Sequence, residues 1–217
     1  SLASSQKYLA SIVQYHRVLR QRNAALKTAQ TLDDISVWTQ LLVSHAQDVW
    51  THRQAFVSYL DTRVSAIYED LFSEKLDISL LFVAGAPHVE SFEELLFEAW
   101  KYEKRYRYTM YGPHRDDFIV YVNGKKAEDA MSRGQLRGLV IAIKVAAYGY
   151  IKQLTGYDPL LLFDEVLSEL DAVRQKNLLA HLPATQTILT CTAIPEEVKK
   201  RSDVFVLDVR PLTEIHK

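Results

Sequence analysis

The first 84 residues contain neither glycine nor proline; all seven glycines and all six prolines lie at or after Gly85. These two residue types interrupt helices most strongly, so a span of this length without them is built most readily from long helices. Leu9, Ile12, Val13, His16, Leu19, Asn23 and Leu26 recur at threes and fours and predict the inner face of a first helix. Thr31 opens TLDD, a Thr-x-x-Asp capping box, and predicts a second helix. Its stripe runs Ile35, Trp38, Leu42, Ala46, Val49, Arg53, Phe56, Leu60, Ile67 and Leu71. Joined near Thr28–Asp33, the two helices are expected to form an antiparallel hairpin. Residues 1–75 are therefore read as a helical arm and residues 76–217 as a second domain. His16, His45 and His52 have no second ligand at a metal-binding spacing and read as ordinary surface or core histidines.

After the arm the pattern changes. Leu76–Val83 (LDISLLFV) reads as a strand that Gly85–Pro87 breaks, and Ser91 to about Tyr108 reads as a helix. The second half of that helix interleaves Trp100, Tyr102, Tyr106 and Tyr108 with Lys101, Lys104, Arg105 and Arg107. Basic groups neutralise phosphates and aromatic rings stack on bases. Glu93, Glu94, Glu98 and Glu103 on the same element argue instead for a solvated face. Lys104, Arg105 and Arg107, with Arg115, are the DNA-facing candidates. Gly112-Pro113 is a turn, Asp117–Val122 a strand and Asn123-Gly124 a hairpin turn. His114, Arg115, Asp116 and Asp117 crowd the strand entrance with no nucleophile beside them. They are read as structural or DNA-facing, with an Arg115–carboxylate pair expected to fix the turn.

Two further motifs carry chemistry. Residues 131–138, MSRGQLRG, precede a helical pattern with Leu136, Leu139, Val140, Ile143, Ala147 and Tyr150 on one face. Ser132 is the expected N-cap, and Gly134 lets backbone approach a ligand closely. The free N–H groups of such a first turn suit a phosphate. Then comes PLLLFDEVLSELD, Pro159–Asp171. Its apolar run reads as a strand buried on both faces, as in a parallel sheet, with Asp164 and Glu165 at its carboxyl end. One acid at such an edge can hold Mg²⁺ while the next orients or deprotonates an attacking water. Ser168-Glu169-Leu170-Asp171 is a turn in which Asp171 or Ser168 caps a helix through about His181. Gln186–Thr192 and Asp203–Val209 are expected strands around a short charged helix, and the whole predicts an α/β lobe with a parallel-sheet core.

The order of these motifs, a Ser-capped helix, a strand ending in acids and the SELD turn, is similar to the signature helix, Walker B strand and D-loop of ABC-type ATPases. SRGQ at Ser132–Gln135, LLLFDEVLSELD, and above all YGPHRDDF at Tyr111–Phe118 followed by VNG at Val122–Gly124 resemble the RecF family. That family comprises bacterial recombination-mediator ATPases related to the heads of SMC-type proteins. LRQRNAALK at Leu19–Lys27, WTQLL at Trp38–Leu42 and Arg53 resemble its helical arm, so the likeness spans nearly the whole chain. The resemblance implies that Asp164 holds Mg²⁺ and that Glu165 activates water. It implies too that Ser132, Gly134 and Gln135 meet the γ-phosphate of ATP bound by a second subunit, with Ser168 and Asp171 at the seam. The implied protein is a slow cytoplasmic ATPase. ATP closes it as a homodimer on duplex DNA near single-strand gaps, beside other recombination-mediator proteins. Arg133 departs from the small or amide residue of signature loops, and Glu165 stands where the family often has a second Asp. No histidine follows the Gln186–Thr192 strand, so a switch residue is Thr190, Thr192 or absent.

Composition narrows the alternatives. One cysteine, Cys191, excludes an intramolecular disulfide, and no apolar run approaches the ~18 residues of a membrane span. A net charge of −1 gives no global attraction to nucleic acid, so any DNA contact rests on local patches. No G-x-x-x-x-G-K-[ST] occurs: the Gly-Lys pair, Gly124-Lys125, lacks the upstream glycine and is followed by Lys126. The chain starts at Ser1 without Met and is expected to be a fragment whose phosphate-cradling loop comes from an upstream segment. It is accordingly expected neither to bind ATP tightly nor to hydrolyse it alone. Two other classes fit parts of the pattern: an ABC ATPase of another system, such as a transporter, and a non-catalytic DNA or protein interaction module.

Overall fold

The computed structural model describes residues 2–183, 185–194, 196–199 and 202–207, and within these the side chains of residues 2–5, 168, 169, 196 and 197 lie outside the description. The chain divides into two compact units, Ser1–Pro159 and Leu160–Lys217. The expected division at 75/76 is kept among the proposals below.

In the first unit, α1 (Leu2–Ala25) and α2 (Asp33–Asp61) form the hairpin. Ser11 of α1 bonds Asp48 of α2, and Arg22 bonds Thr39. Numbers rise on one helix as they fall on the other, so the pair is antiparallel. The capping box at TLDD forms by half. Asp34 Oδ2 accepts the Thr31 and Gln30 N–H groups, which holds its carboxyl below the usual carboxylate range, while no side chain caps the helix forward. The core holds Tyr15, Val18, Leu42, Ala46, Val49 and Trp50. The first stripe is displaced from expectation: Leu9 and Val13 are 61% and 55% exposed, while Ser11, Tyr15 and Arg22 are buried. The reason is that polar residues with internal partners occupy the inner face. The second stripe breaks at Thr62–Arg63, where α3 (Val64–Phe72) begins.

Next come β1 (Ile78–Val83), α4 (Phe92–Tyr106), a 3₁₀ turn (Pro113–Arg115), β2 (Asp117–Val122) and β3 (Lys125–Lys126). The three strands pair antiparallel in the order β1-β2-β3, with Leu80 opposite Val120. Asn123 and Gly124 both have positive φ, 49° and 77°, the backbone that a two-residue hairpin needs. The short α5 (Ala127–Ala130) leads to α6 (Arg133–Thr155). Gly138 of α6 lies so close to α3 that a Cβ would sit 3.1 Å from the Phe72 ring. Further along α6, Tyr150 packs against Phe56 and Tyr59 of α2. Val140, expected inside, is 53% exposed, because Gly138, Leu139, Ile141, Ala142 and Ala146 form the inner face. Gly156, at φ 78°, ends the helix, and Asp158 closes the turn by accepting the Tyr148 hydroxyl and pairing with Lys152.

The second unit contains β4 (Leu161–Phe163), a 3₁₀ turn (Val166–Glu169), α7 (Ala172–His181), β5 (Thr187–Leu189) and α8 (Glu196–Lys199). β4 and β5 are parallel, with Leu162 opposite Ile188. Leu161 and Phe163 point inward with Leu167, Leu170, Leu178 and Leu179. Leu162 and Ile188 are 62% and 48% exposed, so β4 is buried on one face, not both. Alternation along the strand sends every second side chain outward, and among the described residues nothing covers that side. Val204–Leu207 form no strand, and residues 208 and 209 lie outside the described residues.

Candidate functional site

In the second unit the acid pair stands at the carboxyl end of β4. The run LLF ends at Phe163, whose carbonyl accepts the Thr190 N–H at 2.9 Å as the last rung towards β5. That rung places the Thr190 hydroxyl beside the acids. Thr190 Oγ1 donates to Asp164 Oδ1 at 2.5 Å and accepts the Glu165 N–H at 2.9 Å. One hydroxyl thus fixes a carboxylate and the next residue's backbone. Glu165 needs that support: its φ of 53° is left-handed, a region costly for a non-glycine residue. Asp164 and Glu165 are both exposed, and Asp164 Oδ2 has no partner among the described residues. Of the two expected switch candidates, Thr190 touches the acid pair.

The turn that follows is tightly tied. Gln175 Nε2 reaches back from α7 to the carbonyls of Leu167 and Leu170 at 2.6 and 3.0 Å. Asp171 caps α7, accepting the Arg174 N–H at 2.9 Å, so the cap falls to Asp171 of the two residues expected. Its side chain remains exposed. The Ser168 side chain lies outside the described residues.

In the first unit Ser132 caps α6 as expected, in a full capping box. Ser132 Oγ accepts the Gln135 N–H at 3.3 Å, and Gln135 Oε1 accepts the Ser132 N–H at 2.9 Å. Gln135 Nε2 also donates to Glu74 at 2.7 Å. The Ser132 turn is exposed, but its hydroxyl and the Gln135 amide are engaged within the protein. The backbone N–H groups of Arg133 and Gly134 are the donors left at the open end of the helix.

YGPHRDDF is a structural junction. Asp116, its side chain 4% exposed, accepts the Trp50 indole N–H at 2.8 Å, the Gly85 N–H at 2.7 Å and Arg53 at 2.7 Å. Arg53 also donates to the Pro113 carbonyl. The expected Arg115–carboxylate pair is therefore replaced by Arg53–Asp116: Arg115 is exposed, and the buried acid faces α2. His114 Nε2 contacts the Thr109 carbonyl at 3.0 Å and its Nδ1 faces the Tyr15 hydroxyl at 2.7 Å. The carbonyl requires a donor, so Nε2 carries the proton and Nδ1 accepts from Tyr15. Burial pushes the His114 pKa down and the Tyr15 pKa up. A Cβ at Gly85 would lie 2.2 Å from the Gly112 carbonyl, so the two segments meet only as glycines permit.

A second buried cluster joins α1 and α4. Glu103, read as part of a solvated face, is fully buried and pairs with fully buried Arg22 at 2.7 Å. Arg22 also donates to Thr39 and Thr109 at 3.0 and 2.8 Å, and Glu103 accepts the Met110 N–H at 2.8 Å. The correction follows from the period of α4: Phe92, Leu96, Ala99 and Glu103 share one face. Of the DNA-facing candidates, Arg105, Arg107 and Arg115 are exposed. Lys104 is half-buried, bonding the Gln30 carbonyl at 3.2 Å and lying over the Trp100 ring.

Among the described residues no three His, Cys, Asp or Glu side chains cluster to hold a metal. Mg²⁺ sites built from one or two carboxylates plus substrate phosphates need no such cluster, and exposed Asp164 with Oδ2 open fits that donor set. No described helix is long and apolar enough to cross a membrane.

No protein-family model matches the chain. Curated relatives do. It is 34% identical over 201 residues to the DNA replication and repair protein RecF of Lachnoclostridium phytofermentans, covering 91% of this chain and 56% of the relative. It is 35% identical over 212 residues to RecF of Streptococcus equi subsp. zooepidemicus, covering 93% and 57%. The fold is similar to two solved structures of the recombination mediator protein RecF in the RecFOR pathway. The RecF–ATPrS structure gives a TM-score of 0.73 at 25% identity, over 87% of this chain and 54% of that one. The RecF–ATP structure gives 0.72 at 27%, over 92% and 55%. The chain spans about 56% of the length of the curated relatives it matches.

Proposed function

The chain is homologous to the RecF family over about nine-tenths of its length, and on that premise we propose that it forms part of an ATP-dependent recombination mediator acting at gapped or damaged DNA. The observation that carries the nucleotide half of this reading is the exposed acid pair at the end of β4, clamped by Thr190. In a protein of the relatives' full length, bound Mg²⁺–ATP supplies an electrophilic phosphoryl group and the charge that draws two subunits together. Asp164, whose Oδ2 is open, would hold the cation. Glu165, whose left-handed backbone is fixed by Thr190, would take a proton from the attacking water. The Arg133 and Gly134 N–H groups at the start of α6, with the Ser132 hydroxyl and Gln135 freed from their capping box, serve the phosphate held by the second subunit. Ser168 and Asp171 line that seam. Lys104, Arg105, Arg107 and Arg115 contribute the DNA-facing surface. Residues 1–75 act as the arm and residues 76–217 as the ATPase lobe of a cytoplasmic protein with other recombination-mediator proteins as partners.

The test uses a full-length protein carrying these residues. Hydrolysis of ATP lost on Glu165→Gln, with ATP-dependent dimerisation kept or strengthened, is the expected result. Binding to gapped duplex should fall steeply with salt. Hydrolysis unaffected by Glu165→Gln would overturn the assignment of the acid pair. A protein that dimerises with ATP yet shows no DNA affinity belongs instead with transporter-type ATPases.

A further inference from the structure

Residues 1–32 carry five cations, Lys7, Arg17, Arg20, Arg22 and Lys27, and no Asp or Glu. Two of the cations are answered within the chain: Arg22 is buried against Glu103, and Lys7 pairs with Asp48. Arg17, Arg20 and Lys27 are exposed and form no salt bridge among the described residues. The helix macrodipole accounts for Lys27, just past the end of α1. Its influence fades within the last turn, so it accounts for neither Arg17 nor Arg20.

The arginines share their face of α1 with apolar side chains. Leu9 and Val13 stand largely in solvent, one helical turn apart. At 3.6 residues per turn, Leu9, Val13, Arg17, Arg20 and Ala24 fall within an arc of about 80°. Buried Ser11, Tyr15, Val18 and Arg22 lie opposite them, and α1 packs on α2 and α6. From Leu9 to Ala24 the stripe runs about 22 Å. Towards its end Arg17, Arg20, Gln21 and Ala24 line a shallow hollow of about 460 Å³. The small Ala24 leaves room there for an incoming side chain. The result is a stripe that is apolar at one end and cationic at the other.

We propose that this stripe docks an acidic amphipathic helix of a partner protein. Leu9 and Val13 receive the partner's apolar side chains, and Arg17 and Arg20 pair with its carboxylates. Exposed aliphatic groups are stabilised only when something apolar covers them. Anchors one turn apart with charge beside them are how one helix is read by another. Charge complementarity makes the partner acidic. A second copy of the same stripe carries no acid to answer the arginines. Nucleic acid would satisfy the arginines but leave Leu9 and Val13 against sugar and phosphate. The inference gives the proposed protein partners a surface and does not depend on the nucleotide or DNA reading.

The experiment measures anisotropy of labelled, helix-stabilised peptides of about 18 residues with the 217-residue chain. One peptide carries leucines on one face flanked by glutamates. A second replaces the glutamates by lysines, and a third replaces the leucines by serines. An oligo-dT of about 20 nucleotides is the fourth probe. The acidic leucine peptide is expected to bind, and the other two peptides at least about tenfold more weakly. Arg17→Glu/Arg20→Glu should weaken it by about tenfold or more, and Leu9→Ser/Val13→Ser by about fivefold or more. These residues are exposed, so the fold survives the changes. Lys144→Glu, at an exposed position of α6, alters charge elsewhere and should leave binding unchanged. No binding of the acidic peptide, binding unchanged in both double variants, or equal binding of the serine peptide overturns the proposal. So does oligo-dT binding that falls in step with the peptide across the variants, which would make the stripe a general polyanion surface. No probe requires ATP or gapped DNA, so this proposal and the mediator reading fail separately.

Discussion

Glu103→Gln isolates the buried ion pair. Arg22 and Glu103 are both fully buried, and the guanidinium has two neutral acceptors besides the carboxylate, the hydroxyls of Thr39 and Thr109. Glutamine keeps the shape and the acceptor for the Met110 N–H, but it leaves the Arg22 charge without a counter-ion. Removing one partner of a buried pair costs about 3–5 kcal/mol, because an uncompensated charge stays inside. For a unit of this size each kcal/mol moves Tm by about 2–4 °C, so a fall of roughly 6–20 °C is expected. All three tryptophans, Trp38, Trp50 and Trp100, lie in the first unit, so their emission during urea unfolding follows that unit. The loss should barely respond to added salt, since buried pairs are little screened.

The double variant Arg22→Met/Glu103→Met completes the cycle. Replacing both charges by apolar side chains of similar size is often close to neutral. Here the Met110 N–H would still lose its acceptor, at about 1–3 kcal/mol. The double variant should therefore be more stable than either Arg22→Met or Glu103→Met, with a coupling of about 2 kcal/mol or more. A Glu103→Gln loss below about 1 kcal/mol, the range of exposed pairs, would refute the reasoning.

Three further outcomes follow from the junction and the acid pair. His114 is held neutral with its pKa pushed down by burial, so below about pH 6.5 the unfolded chain binds more protons than the native one. Stability should accordingly fall as pH drops through that region and level off below the depressed native value; a Tm–pH curve unchanged in His114→Gln would contradict this. Gly85→Ala sets a Cβ against a backbone carbonyl that cannot step aside, and should cost at least ~1–3 kcal/mol in urea unfolding. Thr190→Val removes the acceptor of the Glu165 N–H, so exchange of that amide should accelerate about tenfold in the chain without nucleotide, whereas Thr190→Ser should not change it. Equal protection in Thr190→Val would show that the hydroxyl does not hold the turn.

How far these features were legible in the sequence depended on whether the cause was local. The α6 cap, the Asn123-Gly124 hairpin and the strand before the acids announce themselves because residue type and backbone demand coincide within a few positions. The break at Thr62–Arg63 has no glycine or proline to mark it, and it comes from α3 turning to meet α6. The inner face of α1 was misplaced for a related reason. Arg22 and Ser11 look like surface residues until Glu103, Thr109 and Asp48 arrive from distant positions. Glu103 differs from Glu98, five residues earlier, only in falling on the period set by Phe92, Leu96 and Ala99. At the acid pair the two carboxylates were visible, but the clamp was not, since Thr190 reaches them through strand pairing across 26 positions.

The same distinction sets YGPHRDDF apart from the acid pair. Four of its residues answer separate geometric demands. Gly112 adopts φ 131° with the Tyr15 hydroxyl where a side chain would be; Pro113 offers its carbonyl to Arg53; His114 joins Tyr15 to Thr109; Asp116 gathers donors from α2 and from Gly85. Few other sequences could meet all of these at once, so the motif specifies how the arm helices meet the β1–β2 sheet. The acid pair, by contrast, needs only a strand end and one hydroxyl, a demand many sequences satisfy. Asp116→Asn should lower stability through the Arg53 pair without altering nucleotide contacts, whereas Glu165→Gln should do the reverse.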